Sequence, residues 1–224
     1  MLRKSYAKEW IDILESSNKF EIFYHLLRYL LAYHRIKNKA TKPILDLGCG
    51  SGYGTNLLKA VGLDYDIEAL KLSKKRYRML DFVAADAHYL PFRPGSFSFI
   101  CLFEVIEHVE CPLKVLQEVH RCLAPAGMIF VSTPNSIFMK IADKFFGWKR
   151  WHGHKHEFSM VSLRSLLRRA GFSEINISGE GLWLPKITPK RLFFLSTYLV
   201  KIFPYFTFVI IATGKKSSLP PIPG

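Results

Sequence analysis

Three groups of residues have types and spacings that can do chemistry. The first is Asp46-Leu-Gly-Cys-Gly-Ser-Gly-Tyr-Gly54, where glycines at 48, 50 and 52 let the backbone turn sharply and let a ligand lie against it. The second is a series of carboxylates, Asp46, Asp64 and Asp86. Asp64 can accept from both hydroxyls of a ribose, and Asp86 from the amino group of an adenine. Each Asp taken singly also suits a helix cap or a turn. Three in order suit a ligand with a ribose, an adenine and positive charge. The third group is Glu104-Val-Ile-Glu107-His108 with the later Trp151-His-Gly-His-Lys-His-Glu-Phe158, which supplies His152, His154 and His156. If Glu104 opens a helix, positions i, i+3 and i+4 share a face, and Glu104, Glu107 and His108 converge. With His156 they make a set suited to Mg²⁺ or Mn²⁺. The same residues can also work without a metal. His108 is then the best-placed base, with an ordinary pKa near neutrality, and His154 and His156 come next.

These residues need elements to hold them. Apolar spacing predicts a helix over 5–36, followed by a basic connector, Lys37–Lys42. Strands are predicted at 43–47, 61–64, 82–86, 97–103 and 128–132, a sixth from 175 and a last one over 206–213. Helices are predicted at 53–60, 66–78, 112–123 and 162–170. Strands alternating with helices mean a mainly parallel sheet covered on both faces, with ligands outside the carboxyl ends of the strands. Asp46, Asp64, Asp86 and Glu104 all fall there. Three segments result: a helical 1–42 that can serve as a lid, a main domain over 43–213, and a tail over 214–224.

Composition bounds the rest. The 224 residues suit one α/β domain, and 49% hydrophobic content excludes a disordered chain. The net charge of +14 is unevenly placed. Residues 1–42 carry nine Lys/Arg against four Asp/Glu, 43–120 eight against ten, and 121–224 fifteen against four. Basic flanks favour an anionic neighbour, such as RNA, a lipid surface or an acidic small molecule, or else are simply solvated. The four cysteines make no Cys-x-x-Cys pair, so neither structural zinc nor a disulfide framework is expected, and a reducing cytosol fits. The apolar run 192–212 contains Lys201 and Pro204, so it reads as a short helix, a break and a buried strand, not as a membrane span. A peripheral membrane contact stays open there, because aromatics stand beside Lys190, Arg191 and Lys201.

ILDLGCGSGYGT (44–55), GLDYDIEALKLSKK (62–75), ADAHYLPFRPGSF (85–97), FEVIEHVE (103–110), LAPAGMIFVSTPN (123–135) and HEFSMVSLRSLLRRAGF (156–172) resemble successive motifs of the class I S-adenosylmethionine (SAM)-dependent methyltransferases. They are most similar to the broad subgroup that includes ubiquinone-biosynthesis O-methyltransferases. The resemblance covers roughly 40–213. It implies a Rossmann-like, doubly wound, mostly parallel seven-stranded sheet with an antiparallel last strand. It implies SAM contacts from Asp46, from the loop Gly48, Cys49, Gly50 and Gly52, from Asp64 with Tyr65, from Asp86 with Ala87, and from Phe103. Ser98 departs from the family, which usually has Asp there. A similar Glu-x-x-Glu-His set is a metal site in some ubiquinone-pathway enzymes and in small-RNA 2′-O-methyltransferases, which also carry a Thr-Pro-Asn like Thr133-Pro-Asn135 here.

A nicotinamide-dependent oxidoreductase on a similar sheet would favour G-x-G-x-x-G, and Asp46 would crowd its pyrophosphate. No Asn/Asp-Pro-Pro-Tyr/Phe motif of amine-methylating DNA enzymes follows strand four, and Cys111-Pro112 lies too far along for a cytosine-C5 nucleophile. The expected activity is therefore methyl transfer to a hydroxyl of a small or lipid-like acceptor. Aromatics at 138, 145, 146, 148 and 151 can line its pocket or rest on a bilayer. The alternative is an RNA 2′-O-methyltransferase, with Lys140, Lys144, Lys149, Arg150 and Lys155 following phosphates. A SAM-binding regulator without catalysis is a third reading.

Overall fold

The short apolar runs between the turn signals become strands of one sheet. The computed structural model describes residues 19–37, 43–146, 153–180 and 207–217. In chain order they form α1 (Lys19–Ile36), β1 (Ile44–Leu47), α2 (Tyr53–Leu58), β2 (Val61–Asp64), α3 (Ile67–Arg76), β3 (Phe82–Ala84), β4 (Phe97–Phe103), α4 (Pro112–Cys122), β5 (Leu123–Pro134), α5 (Ser136–Phe146), α6 (Met160–Arg169), β6 (Phe172–Glu180) and β7 (Val209–Lys216). The seven strands lie in the order β3-β2-β1-β4-β5-β7-β6. Strands β1 to β5 pair in parallel, and β7 runs antiparallel to both β5 and β6. This is the expected doubly wound sheet with an antiparallel last strand.

Alternation along β4 explains why every one of its residues is buried. Phe99, Cys101 and Phe103 face one core, with Ala32 and Ile36 of α1 and Leu58 of α2. Ile100 and Leu102 face the other, with Val115, Leu116 and Val119 of α4 and Leu163 and Leu167 of α6. A strand covered on both faces has no polar side, which is why its sequence reads as a continuous apolar run. Each fully buried Leu, Ile or Val contributes about 1.5–3 kcal/mol relative to exposure.

Several boundaries differ from the sequence reading for local reasons. α6 starts at Met160 and not Ser162, because Ser159 and Ser162 close a reciprocal capping box. β5 starts at Leu123 and not Met128. Leu123 pairs with Phe97, residues 124–127 are taken up in a register shift with Ala126 at φ 58°, and Met128 then pairs with Phe99. Ser98, where the family usually has Asp, is buried in β4 and donates its N–H to the Pro43 carbonyl at 3.1 Å. β7 begins at Val209. The expected strand start at Phe206, the break at Pro204, the apolar helix before it, most of the predicted tail, and residues 5–18 of the predicted first helix lie outside the described residues. Among the described residues no helix is long and apolar enough to cross a membrane.

Candidate functional site

Gly48, Gly50 and Gly52 all take positive φ (75°, 47° and 71°), so the loop after β1 coils back over the strand ends. Gly48 is the tightest of them. A Cβ there would stand 2.3 Å from Val105 Cγ2, in a backbone conformation that side chains rarely adopt. The loop is tied to β2 through Asp64, whose Oδ2 accepts from Gly50 N at 2.9 Å and Oδ1 from Asp66 N at 3.0 Å. Each oxygen keeps a further lone pair for a ligand hydroxyl. Burial, the largest influence, raises the Asp64 pKa. Asp86 follows β3. Its side chain is 60% exposed, and Oδ1 accepts from the N–H of His88 at 2.9 Å and from His88 Nδ1 at 2.6 Å. Those bonds, the backbone one first, lower its pKa.

Asp46 behaves differently. It is completely buried and accepts from Thr55 Oγ1 at 2.7 Å and from Tyr29 Oη at 3.2 Å. Burial dominates and raises its pKa to about 6. The carboxylate thus joins β1 to α2 and α1. Cys49 is buried too, and its sulfur packs where a Cβ on Gly62 would sit, so its side chain faces the core. Tyr65 is 65% exposed at the rim. Phe103 packs edge-on against Tyr29, with centroids 4.8 Å apart.

Helix α1 therefore reaches into the site. The Tyr29 ring occupies the space a Cβ on Gly54 would take, and that close approach is why position 54 has no side chain. One residue earlier, Arg28 is 4% exposed and lies 3.5 Å from Glu104 Oε1. It also donates to His25 Nδ1 at 3.0 Å, and burial with the Arg28 charge lowers the His25 pKa well below the usual range.

Beyond β4 the chain does not open a helix. Glu104 takes φ 58°, a left-handed conformation that cannot start one, and residues 106–108 form a turn in which His108 N donates to the Val105 carbonyl. No shared helical face forms, yet Glu107 and His108 still meet, and Glu104 lies near enough for its charge to act on Glu107. Glu104 Oε1 accepts from Ser132 Oγ at 2.8 Å and faces Arg28. Glu107 is 1% exposed and accepts from Thr133 Oγ1 at 3.1 Å, while its Oε1 is buried with no hydrogen-bond partner. Burial first, and the charge of Glu104 second, push the Glu107 carboxyl well above the carboxylate range. His108 Nδ1 lies 3.1 Å from the Gly153 carbonyl, an acceptor only, so Nδ1 carries the proton and the lone pair is on Nε2. Nε2 stands 3.9 Å from Glu107 Oε1, and the ring meets His154 edge-on at 4.9 Å.

Ligand atoms of Glu107, His108 and His154 lie within 4.8 Å of one another. Glu104 and His156 are not in that cluster. The imidazole of His156 points its Nε2 at the Glu110 carbonyl, 3.2 Å away, and Lys155 pairs with the Glu110 carboxylate. The segment is also held by the Glu107 carbonyl, which accepts from Lys155 N at 2.8 Å and His156 N at 3.1 Å. His154 meets His108, and His156 meets Glu110. His152 lies outside the described residues. Sequence reasoning missed Arg28, Tyr29, Thr55 and Ser132 as parts of the site. A signal for the first existed, since an Arg inside the apolar run IFYHLLRYLL needs a buried anionic partner.

The family model described as "Methyltransferase domain" matches residues 18–176. A probable S-adenosylmethionine-dependent methyltransferase of Mycolicibacterium smegmatis is 32% identical over 156 residues, 66% of this chain and 59% of that protein. The chain thus spans less than two thirds of this relative's length. A ubiquinone biosynthesis O-methyltransferase of Thiobacillus denitrificans is 31% identical over 106 residues, 43% of this chain and 46% of that protein. In fold, a SAM-dependent methyltransferase of Thermotoga maritima, described as a possible histamine N-methyltransferase, superposes with a TM-score of 0.64 at 20% identity, covering 89% of this chain and 96% of its own.

Proposed function

Because this chain belongs to the class I SAM-dependent methyltransferase family, we propose that it moves the methyl group of SAM onto a hydroxyl of a small or lipid-like acceptor. The observation that carries the oxygen assignment is the His108 imidazole, whose Nδ1 faces the Gly153 carbonyl, an acceptor, which leaves Nε2 as the nitrogen able to take a proton. A hydroxyl must lose its proton as it attacks, and a neutral imidazole is matched to that task near neutral pH. In the displacement the acceptor oxygen bonds to the methyl carbon as the carbon–sulfur bond breaks. The hydroxyl proton passes to His108 Nε2, and S-adenosylhomocysteine leaves. The catalytic geometry is in-line attack at near-contact distance, which the loop at 48–52, Asp64 and Asp86 serve by fixing the cofactor.

His154 flanks that base. Its pKa is lowered by burial first and by His108 second. The Glu107, His108 and His154 set also fits a divalent ion such as Mn²⁺, because Glu107 Oε1 is a buried oxygen with no hydrogen-bond partner and two imidazoles face it. A bound ion would supply Lewis-acid polarisation of the acceptor oxygen.

A lipid-like acceptor is supported by α5, which follows β5 beside the site. Ile137 and Phe145 are exposed on it, and Lys144 Nζ lies 5.8 Å over the Phe145 ring. The test is methyl transfer from labelled SAM into a total cell extract, split into organic and aqueous phases, with and without chelator. Label in the organic phase supports the reading. Label in RNase-sensitive aqueous material replaces it with RNA 2′-O-methylation, and loss of signal with chelator assigns the metal.

A further inference from the structure

His88 stands two residues past Asp86, and nothing in the displacement above uses it. Its partners fix its tautomer. Nδ1 faces Asp86 Oδ1 at 2.6 Å, and a carboxylate only accepts, so Nδ1 carries the proton. Nε2 therefore holds the lone pair, and it accepts the N–H of Cys111 at 3.1 Å. Cys111 is the N-cap of α4 and makes no side-chain capping bond, so the imidazole is what satisfies that amide. The next residue back, Glu110, holds the acceptor-side segment: its carboxylate pairs with Lys155 and its carbonyl faces His156 Nε2. The chain of contacts runs without a break from the carboxylate after β3 to the segment that carries His154.

The effect on Asp86 is directional. Its side chain is 60% exposed, and an exposed carboxylate rotates among rotamers. Here both bonds from His88 land on Oδ1, which fixes the plane of the group and aims Oδ2. We infer that His88 is a positioning residue that couples cofactor binding at Asp86 to the order of residues 153–156 through Cys111 and Glu110. This rests on the reading that Asp86 faces the adenine of SAM.

Two substitutions separate the halves of the clamp. His88→Asn keeps a donor in the place of Nδ1 and loses the acceptor for Cys111 N. His88→Gln keeps an acceptor in the place of Nε2 and loses the donor to Asp86. Calorimetric titration with S-adenosylhomocysteine and amide exchange of the 153–158 segment, with and without that ligand, read both halves. Expected for His88→Gln is affinity weakened about 5-fold, of the order of one lost hydrogen bond. Expected for His88→Asn is affinity within about twofold of the parent, with the ligand-induced protection of 153–158 abolished. The His88 side chain is only 16% exposed, so thermal melts of both variants are run beside the parent's and the titrations are made well below each midpoint. If both keep the parent's affinity and protection, the clamp is overturned. If the parent chain itself fails to bind S-adenosylhomocysteine, the cofactor reading falls and takes the clamp with it, an outcome seen before any variant is made.

Discussion

Replacing Gly54 with Ala tests whether α1 is locked onto β1 and α2. Gly54 is helical, so in isolation Ala should gain about 1 kcal/mol from propensity. The structure predicts the opposite sign. A Cβ would stand 1.9 Å from Tyr29 Cζ, 2.0 Å from Cε1 and 2.5 Å from Cε2. The ring cannot step aside without loss. Its hydroxyl is bound to Asp46, and its edge packs against Phe103. Overpacking costs about 1–3 kcal/mol. The hydrogen bond to a carboxylate adds about 1.5–3 if broken, and the aromatic pair about 0.5–1.5. Not all are lost together, so a net destabilisation of about 2–4 kcal/mol is expected after the propensity gain. Urea denaturation of Gly54→Ala, Tyr29→Ala and the double variant measures it. Tyr29→Ala alone should cost about 3–5 kcal/mol, and the double variant should cost less than the sum by about 1–3, because the clash is gone once the ring is absent. A Gly54→Ala chain as stable as the parent, or additive costs in the cycle, would refute the packing argument.

Asp46 gives a pH prediction. Its folded pKa of about 6 is raised above the ordinary value of 3.8. A raised carboxyl contributes stability that is full below about pH 4 and is lost as pH rises through about 6, up to roughly 3 kcal/mol. Asp46→Asn should flatten that part of the stability–pH curve, and an unchanged slope between pH 4 and 7 would count against it. Arg28→Leu leaves Glu104 facing the buried Glu107 carboxyl without its cation, and a loss of about 3–5 kcal/mol is expected, partly restored by adding Glu104→Gln. Equal stabilities of the Arg28→Leu chain with and without Glu104→Gln would show that the pair is not coupled. His108→Ala should cut turnover on a hydroxyl acceptor about 10²–10⁴-fold while titration still finds S-adenosylhomocysteine bound. Unchanged turnover removes His108 as the base.

Where the sequence could be read, the reason was local. β1 to β4 are short apolar runs bounded by turn residues, and the placing of Asp64 at the end of β2 and of Asp86 just past β3 follows from where those runs stop. What could not be read was long-range. Tyr29 and Asp46 are seventeen positions apart and meet only once α1 folds back on the sheet. Glu104-Val-Ile-Glu107-His108 has helical spacing, yet the left-handed φ at Glu104 prevents a helix, and Glu107 and His108 meet through a turn. That His154 and not His156 joins Glu107 and His108 depends on tertiary contacts of the segment, with the Glu107 and Glu110 carbonyls among them, which no periodicity announces. Helix α5 was hidden because its aromatic residues read equally well as a pocket lining.

The strand order has a consequence for how the chain is made. β6 is synthesised before β7, yet its neighbour in the sheet is β7, which also separates it from β5. While β7 is still inside the ribosome, β5 has an unpaired edge and β6 has nothing to pair with. The half of the sheet that holds the cofactor loop, β3-β2-β1-β4-β5, can assemble as it emerges. The other half must wait, then receive an interior strand between two segments already outside. Its unmatched edges are open to other nascent chains during that interval, so translation speed after residue 180 bears on the yield of folded protein.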